Sequence, residues 1–148
     1  MVGFDLNKDP IKSENAANFA AYNHFFDEAL VTDLSDRIQK SSNDQVIFLH
    51  QMGSHGPAYF KRSPDQFKLH QPACKSIEFA NCSPLEITNA YENTIIYTNY
   101  VISKAIKQLE GISEHYDTGL IYLSDHGEST GEDGYYLHGL PYFMAPDE

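Results

Sequence analysis

What this sequence holds little of narrows its chemistry first. It carries ten lysines and arginines against 21 aspartates and glutamates, a formal net charge of -11. Nucleic-acid binding needs clustered cations to neutralise phosphates, which argues against that class of partner. The same deficit disfavours docking on an anionic membrane surface. A bound dication would offset the acidity locally, so an anionic substrate stays open. No run approaches the roughly 20 apolar residues of a membrane span. The opening MVGFDLNKDP also lacks the basic and apolar regions of a signal peptide. Any export signal or anchor of a parent protein is therefore expected outside these residues. Cysteine is confined to Cys74 and Cys82, in PACKSIEFANC. Seven intervening residues permit a disulfide closing a small surface loop, which would imply an oxidising compartment such as a periplasm. A metal pair is the other reading, although no second Cys or His couple stands nearby at zinc-site spacing.

What is present suffices for one domain or part of one: 148 residues, 41% of them hydrophobic. Residues 1–24 are polar, carry Pro10 and read as a loop or a cut end. Phe26, Leu30, Leu34 and Ile38 recur at four-residue spacing and predict a helix over Phe25–Gln39. QVIFLH, ending at His50, reads as a buried strand followed by the loop QMGSHGP. Residues 57–82, with three prolines and both cysteines, read as a surface excursion. Ser83-Pro84-Leu85-Glu86 supplies an N-cap, a first-turn proline and the Glu of a capping box. Ile87, Tyr91, Ile95, Thr98, Val101, Ile102, Ala105, Ile106 and Leu109 then predict a long helix that stops near Gly111. GLIYLS predicts a second buried strand leading into Asp125. Strand, helix and strand in that order describe a βαβ crossover in a parallel sheet. In such sheets ligands collect at the carboxyl ends of the strands, where His55 and Asp125-His126 fall.

The stretch LIYLSDHGESTGEDGYYLHGLPY concentrates the candidate chemistry. Asp125 and His126 are adjacent, and Gly127 permits a turn that aims both at one ion. A carboxylate and a neutral imidazole are good zinc ligands, although a lone D-H-G reads sooner as a polar turn. GSHGP after the first strand and LHGLP after the second motif repeat one pattern, a His beside Gly and close to Pro. His55 and His138 could therefore bind a phosphate oxygen, act as acid and base, or hold a second metal. Glu128 could bind a cationic amine or support a ligand from the outer shell. His50 reads as structural or supporting, and His24, His70 and His115 receive no role. Ser124, Ser129 and Thr130 border the motif, but their spacing marks none of them as a nucleophile.

With these residues in view the chain resembles the phosphoethanolamine transferases that modify lipid A, including the mobile colistin-resistance enzymes. LHQMGSHGPAYFKR, the C-x7-C segment, NAYENTIIYTNYV and YLSDHGESTGEDGYYLHGLPYFMAPDE carry the resemblance, strongly over residues 45–148. It implies an α/β/α sandwich of the alkaline phosphatase and sulfatase type with a mainly parallel sheet, facing the periplasm from the inner membrane. It implies zinc, one ion or two, and passage of phosphoethanolamine from phosphatidylethanolamine to a lipid A phosphate through a phospho-threonine. Matched by motif, Asp125 and His126 would bind the catalytic zinc. His55 and His138 would contact the transferred phosphate or a second metal. Glu128 would line the substrate pocket, and Cys74 and Cys82 would form a family disulfide. The family's further Glu ligand and its threonine have no counterpart in a strand-end turn here. Thr32, Thr88, Thr94, Thr98 and Thr118 all fall elsewhere. The expectation is an internal part of a catalytic domain, without its membrane domain, inactive alone and prone to self-association. Related phosphatases, sulfatases and phosphoglycerol transferases share the metal residues and form the alternative enzyme class. A remnant that only binds a metal or head group is the non-enzymatic alternative.

Overall fold

The computed structural model describes residues 25–141, 143 and 144. The polar stretch 1–24 lies outside them. The described residues divide into two compact units: those up to Gly53 with Thr98–Leu120, and Ser54–Tyr97 with those from Ile121 onward.

In the first unit the expected helix over Phe25–Gln39 is broken. A 3-10 turn spans Asp27–Val31, and α1 covers only Leu34–Gln39. Asp33 sits between them at φ 57°, in the left-handed region. Val31, Thr32 and Asp33 are poor helix formers, and Asp tolerates that region better than most residues. The burial pattern survives the break: Phe26, Leu30, Leu34 and Ile38 are all buried. They are joined in the core by Ala29, Val31, Val101, Ala105 and Ile112.

The long helix α2 runs Pro84–Glu110 and contributes residues to both units. Its start matches the predicted capping box. The Ser83 N–H donates to Glu86 Oε2 at 2.7 Å, and the Glu86 N–H donates back to Ser83 Oγ at 3.3 Å. The Ser83 backbone N–H first, then the Ser83 hydroxyl, both donating to Glu86 Oε2, hold the Glu86 carboxyl below its ordinary range. Its buried stripe is Ile87, Ala90, Thr94, Tyr97, Val101 and Ala105, whereas Ile95 and Ile106 are exposed.

In the second unit residues 57–82 are not purely superficial. Short 3-10 turns at Tyr59–Lys61, Asp65–Phe67 and Phe79–Asn81 punctuate the segment, and Tyr59, Ser63 and Cys74 are buried. Cys74 and Cys82 form a disulfide with their Cα atoms 5.7 Å apart, so the disulfide reading of the two cysteines holds and the metal pair does not. The resulting strap is clipped to α2. The Cys74 N–H donates to the Glu86 carbonyl, and Asn89 Nδ2 donates to the Pro72 carbonyl. Asn93 takes both the N–H and the carbonyl of His70. A small core of Tyr59, Cys74, Ile87 and Ala90 fills the space, with Phe79, Tyr136 and Leu137 packed against it.

The two predicted buried strands are a correction. Among the described residues QVIFLH shows one isolated bridge, at Ile47, and GLIYLS none. Val46, Phe48, Ile121 and Leu123 are well exposed. Composition can favour an extended chain, but a strand exists only where another strand accepts its N–H groups. No described segment pairs with either run, so the βαβ crossover does not form among the described residues. The sheet that does form is antiparallel and two-stranded: β1 (Ser129–Thr130) pairs with β2 (Tyr136–Leu137), Ser129 opposite Leu137.

Candidate active site

That hairpin builds the site. A register pairing Ser129 with Leu137 and Thr130 with Tyr136 sets Glu128 opposite His138 at its open end. His138 Nδ1 lies 2.7 Å from Glu128 Oε2. The turn is closed by Glu132, whose carboxylate accepts from the Thr130 N–H at 2.6 Å, the Gly131 N–H at 3.1 Å and the Ser129 hydroxyl at 3.0 Å. Gly131 stands at φ 130°, where a side chain would be strained and would meet the Tyr136 ring at 3.0 Å. Leu137, immediately before His138, is held at φ 69°. For a bulky residue this is an uncommon conformation of the kind found where structure over-determines a site.

Glu132 gives a pH prediction. Its own backbone N–H, then the Thr130 N–H and the hydroxyls of Thr130 and Ser129, lower its pKa from 4.5 to about 2 against the opposing effect of burial. Folding thus favours the carboxylate. Its contribution to stability is complete above pH 4.5 and is lost as the pH falls toward about 2. An acid series of urea unfolding curves should show a steeper loss over that window in the parent than in Glu132→Gln. Coincident acid profiles would remove the claim.

Glu128 is the hub of the cluster. Its side chain is only 6% exposed. Oε1 accepts from the Gly56 N–H at 3.0 Å and the Tyr59 hydroxyl at 2.7 Å, and Oε2 faces His138. Burial first, then the hydrogen bond and charge of Glu128, push the Tyr59 phenol well above its ordinary range, so it stays a donor. The three candidate imidazoles share one feature. His55 Nδ1 is 2.6 Å from the Gly56 carbonyl, His126 Nδ1 is 2.7 Å from the Gly127 carbonyl, and His138 Nδ1 faces Glu128. Each acceptor calls for a proton on Nδ1, which leaves Nε2 with its lone pair. The rings are close: His126 stacks on His138 at 4.0 Å between centroids, and His55 meets His138 edge-on at 5.0 Å. One potential ligand atom from each of His126, Glu128 and His138 lies within 4.8 Å of the others. Asp125 is exposed, with Oδ1 3.7 Å from His126 Nε2. The Gly127 carbonyl, then the charges of Asp125 and Glu128, raise the His126 pKa over the opposing effect of desolvation.

The hydroxyls bordering the motif are committed elsewhere. Ser124 donates to the His126 carbonyl, and Ser129 and Thr130 donate to Glu132. His50 is exposed. Tyr59 and Gly56 are the site residues that sequence reasoning missed. Their signal was present, since both stand within four residues of His55 in HGPAY, but neither is a residue type read as chemistry.

The sulfatase family profile matches residues 2–148, and the chain belongs to the sulfatase family. The α/β class and the alkaline phosphatase-like fold inferred from the motifs follow from that membership. Within the family the similarity is to phosphoethanolamine transferases. The chain is 50% identical over 122 residues to phosphoethanolamine transferase EptA of Salmonella typhimurium, covering 82% of this chain and 22% of that one. It is 43% identical over 132 residues to phosphatidylethanolamine transferase Mcr-2 of Escherichia coli, covering 88% and 24%. Among solved structures, it superposes on the C-terminal periplasmic domain of phosphoethanolamine transferase EptC from Campylobacter jejuni. The TM-score is 0.76 at 45% identity, over 82% of this chain and 39% of that one. The chain thus spans about a fifth of the length of the curated relatives it matches.

Proposed function

We propose that this chain is part of the catalytic unit of a zinc-dependent phosphoethanolamine transferase that moves the head group of phosphatidylethanolamine onto a lipid A phosphate. The observation that carries the reading is the set of imidazoles whose Nδ1 atoms are all tied to oxygen, leaving Nε2 for a ligand. The donor chemistry fits zinc. Ligands about 2.1 Å from a tetrahedral ion stand roughly 3.4 Å apart, and Asp125 Oδ1 and His126 Nε2 are 3.7 Å apart. Asp125 and His126 would hold the ion, and His55 and His138 would meet the transferred phosphate or a second metal. Glu128 would support His138 from behind. Zinc, when bound, supplies a Lewis acid that polarises the phosphoryl group and lowers the pKa of an attacking hydroxyl. The attacking threonine is expected on a part of the enzyme outside these residues, because Thr130, the threonine beside the cluster, is engaged with Glu132. The chain alone is then inactive. The disulfide supports an oxidising, periplasmic setting. No described helix is long and apolar enough to cross a membrane. Structural similarity to the integral membrane protein lipooligosaccharide phosphoethanolamine transferase A of Neisseria meningitidis supports an anchored parent enzyme.

The test has two arms. Calorimetry of the chain should show zinc binding that is abolished in the Asp125→Ala, His126→Ala variant. The full-length enzyme should transfer phosphoethanolamine from a phosphatidylethanolamine analogue and stop on chelation. A full-length enzyme that hydrolyses sulfate or phosphate monoesters without transfer would overturn the reading.

A further inference from the structure

We infer that Tyr59 is a positioning residue for His138, acting through the Glu128 carboxylate; the inference rests on the reading of the site given above. A buried tyrosine needs a partner for its hydroxyl, and a backbone carbonyl would do. Tyr59 instead donates at 2.7 Å to one oxygen of a buried carboxylate whose other oxygen lies 2.7 Å from an imidazole nitrogen. The Gly56 N–H reaches the same Oε1 at 3.0 Å. Two donors converging on Oε1 set the plane of the carboxylate and leave Oε2 one direction in which to face. That direction is occupied by His138 Nδ1.

The ring of Tyr59 is itself immobilised. It stacks on Phe79 at 5.7 Å with 15° between planes, and meets Tyr91 edge-on at 5.5 Å. Tyr59 is 1% exposed, so no water competes for the hydroxyl. The order of support runs from an aromatic cluster to a phenol, a carboxylate and an imidazole. Only the last of these presents an atom to the reaction. Carboxylates that accept the second N–H of a ligating or catalytic histidine fix its tautomer and aim. Here the carboxylate needs fixing in turn, because the last torsion of a Glu side chain is broad and the Gly56 N–H is by itself one donor to Oε1. Tyr59 supplies the second donor.

The experiment is Tyr59→Phe in this chain, which keeps the ring and its stacking and removes one oxygen. The readouts are the long-range proton–nitrogen spectrum of His138 at mildly alkaline pH and zinc affinity by calorimetry. The parent should show His138 protonated on Nδ1. Tyr59→Phe should show a mixture of tautomers, while zinc binding, which Asp125 and His126 carry, should stay near the parental affinity. Tyr91→Phe, which removes a phenol oxygen from the same aromatic cluster but keeps its ring against Tyr59, serves as the control and should retain the His138 tautomer. An unchanged His138 spectrum in Tyr59→Phe, or the same change in Tyr91→Phe, overturns the inference. Absence of zinc binding in the parent would sink the metal reading, while the tautomer spectrum still decides the role of Tyr59.

Discussion

Alanine at position 56 should disable the site and destabilise the unit that carries it. A Cβ on Gly56 would stand 2.4 Å from Leu137 Cδ2, 2.7 Å from Glu128 Oε1 and 2.9 Å from Tyr59 Oη. The dihedral is not the obstacle, since Gly56 does not occupy the left-handed region. Space is. Leu137 could turn away at some cost, but Glu128 Oε1 is pinned by the Gly56 N–H and the Tyr59 hydroxyl. Retreat would break both bonds and carry His138 with it. Overpacking of a filled interior costs about 1–3 kcal/mol, and a buried carboxylate stripped of donors adds to that. Gly56→Ala should therefore lower the urea midpoint and mix the His138 tautomers more than Tyr59→Phe does. A variant with parental midpoint and His138 tautomer would show that the convergence on Gly56 is looser than these distances imply.

The second large effect concerns the disulfide. Cutting Cys74–Cys82, by the double Ser variant or by reductant, should cost about 2–4 kcal/mol. The crosslink closes a small loop, and loop-closure entropy in the unfolded chain accounts for roughly 2.5 kcal/mol of that. Cys74 is also buried beside Tyr59, Ile87 and Ala90, so replacing its sulfur disturbs packing. In the folded chain the strap keeps its clips to α2 at Glu86, Asn89 and Asn93. The bond therefore acts mainly by restricting the unfolded state. Phe79, inside the loop, stacks on Tyr59 and leans on Tyr136, and with the clips in place the zinc affinity of the folded chain should change little. Denaturant unfolding with and without reductant is the measurement. The parent should fall on reduction toward the level of the double variant but stop somewhat above it, because it keeps the Cys74 sulfur, and the double variant itself should not respond. A parent indifferent to reductant would refute the prediction.

Legibility in the sequence followed the range of the forces involved. The helix from Pro84 was readable to its capping bonds, because Ser83, Pro84 and Glu86 act within one turn of each other. The segment from Phe25 showed its buried residues correctly but not its break. Hydrophobic spacing reports which side faces the core and is nearly blind to a single left-handed residue at Asp33. The two apolar runs before the histidine motifs read as strands because their residue types favour an extended chain. What a strand requires beyond that is a neighbour, and no property of QVIFLH or GLIYLS supplies one.

The site divides along the same line. The sequence by itself offered the candidates: Asp125, His126, His138 and His55 are ligand-type groups close to glycines, open equally to acid–base or phosphate-binding roles. It also carried the family membership, since YLSDHGES followed by LHGLPY is a long and specific pattern. Only the tertiary structure decided how the donors are arranged. Glu128 left the expected role of pocket lining open in the sequence. In the fold it lies buried between Tyr59, Gly56 and His138, 69, 72 and 10 residues away along the chain. Local pattern cannot encode such pairs, because they depend on a hairpin register and on a loop brought against it from far upstream. The tautomer of each histidine was equally invisible, for it is set by whichever oxygen the fold places against Nδ1.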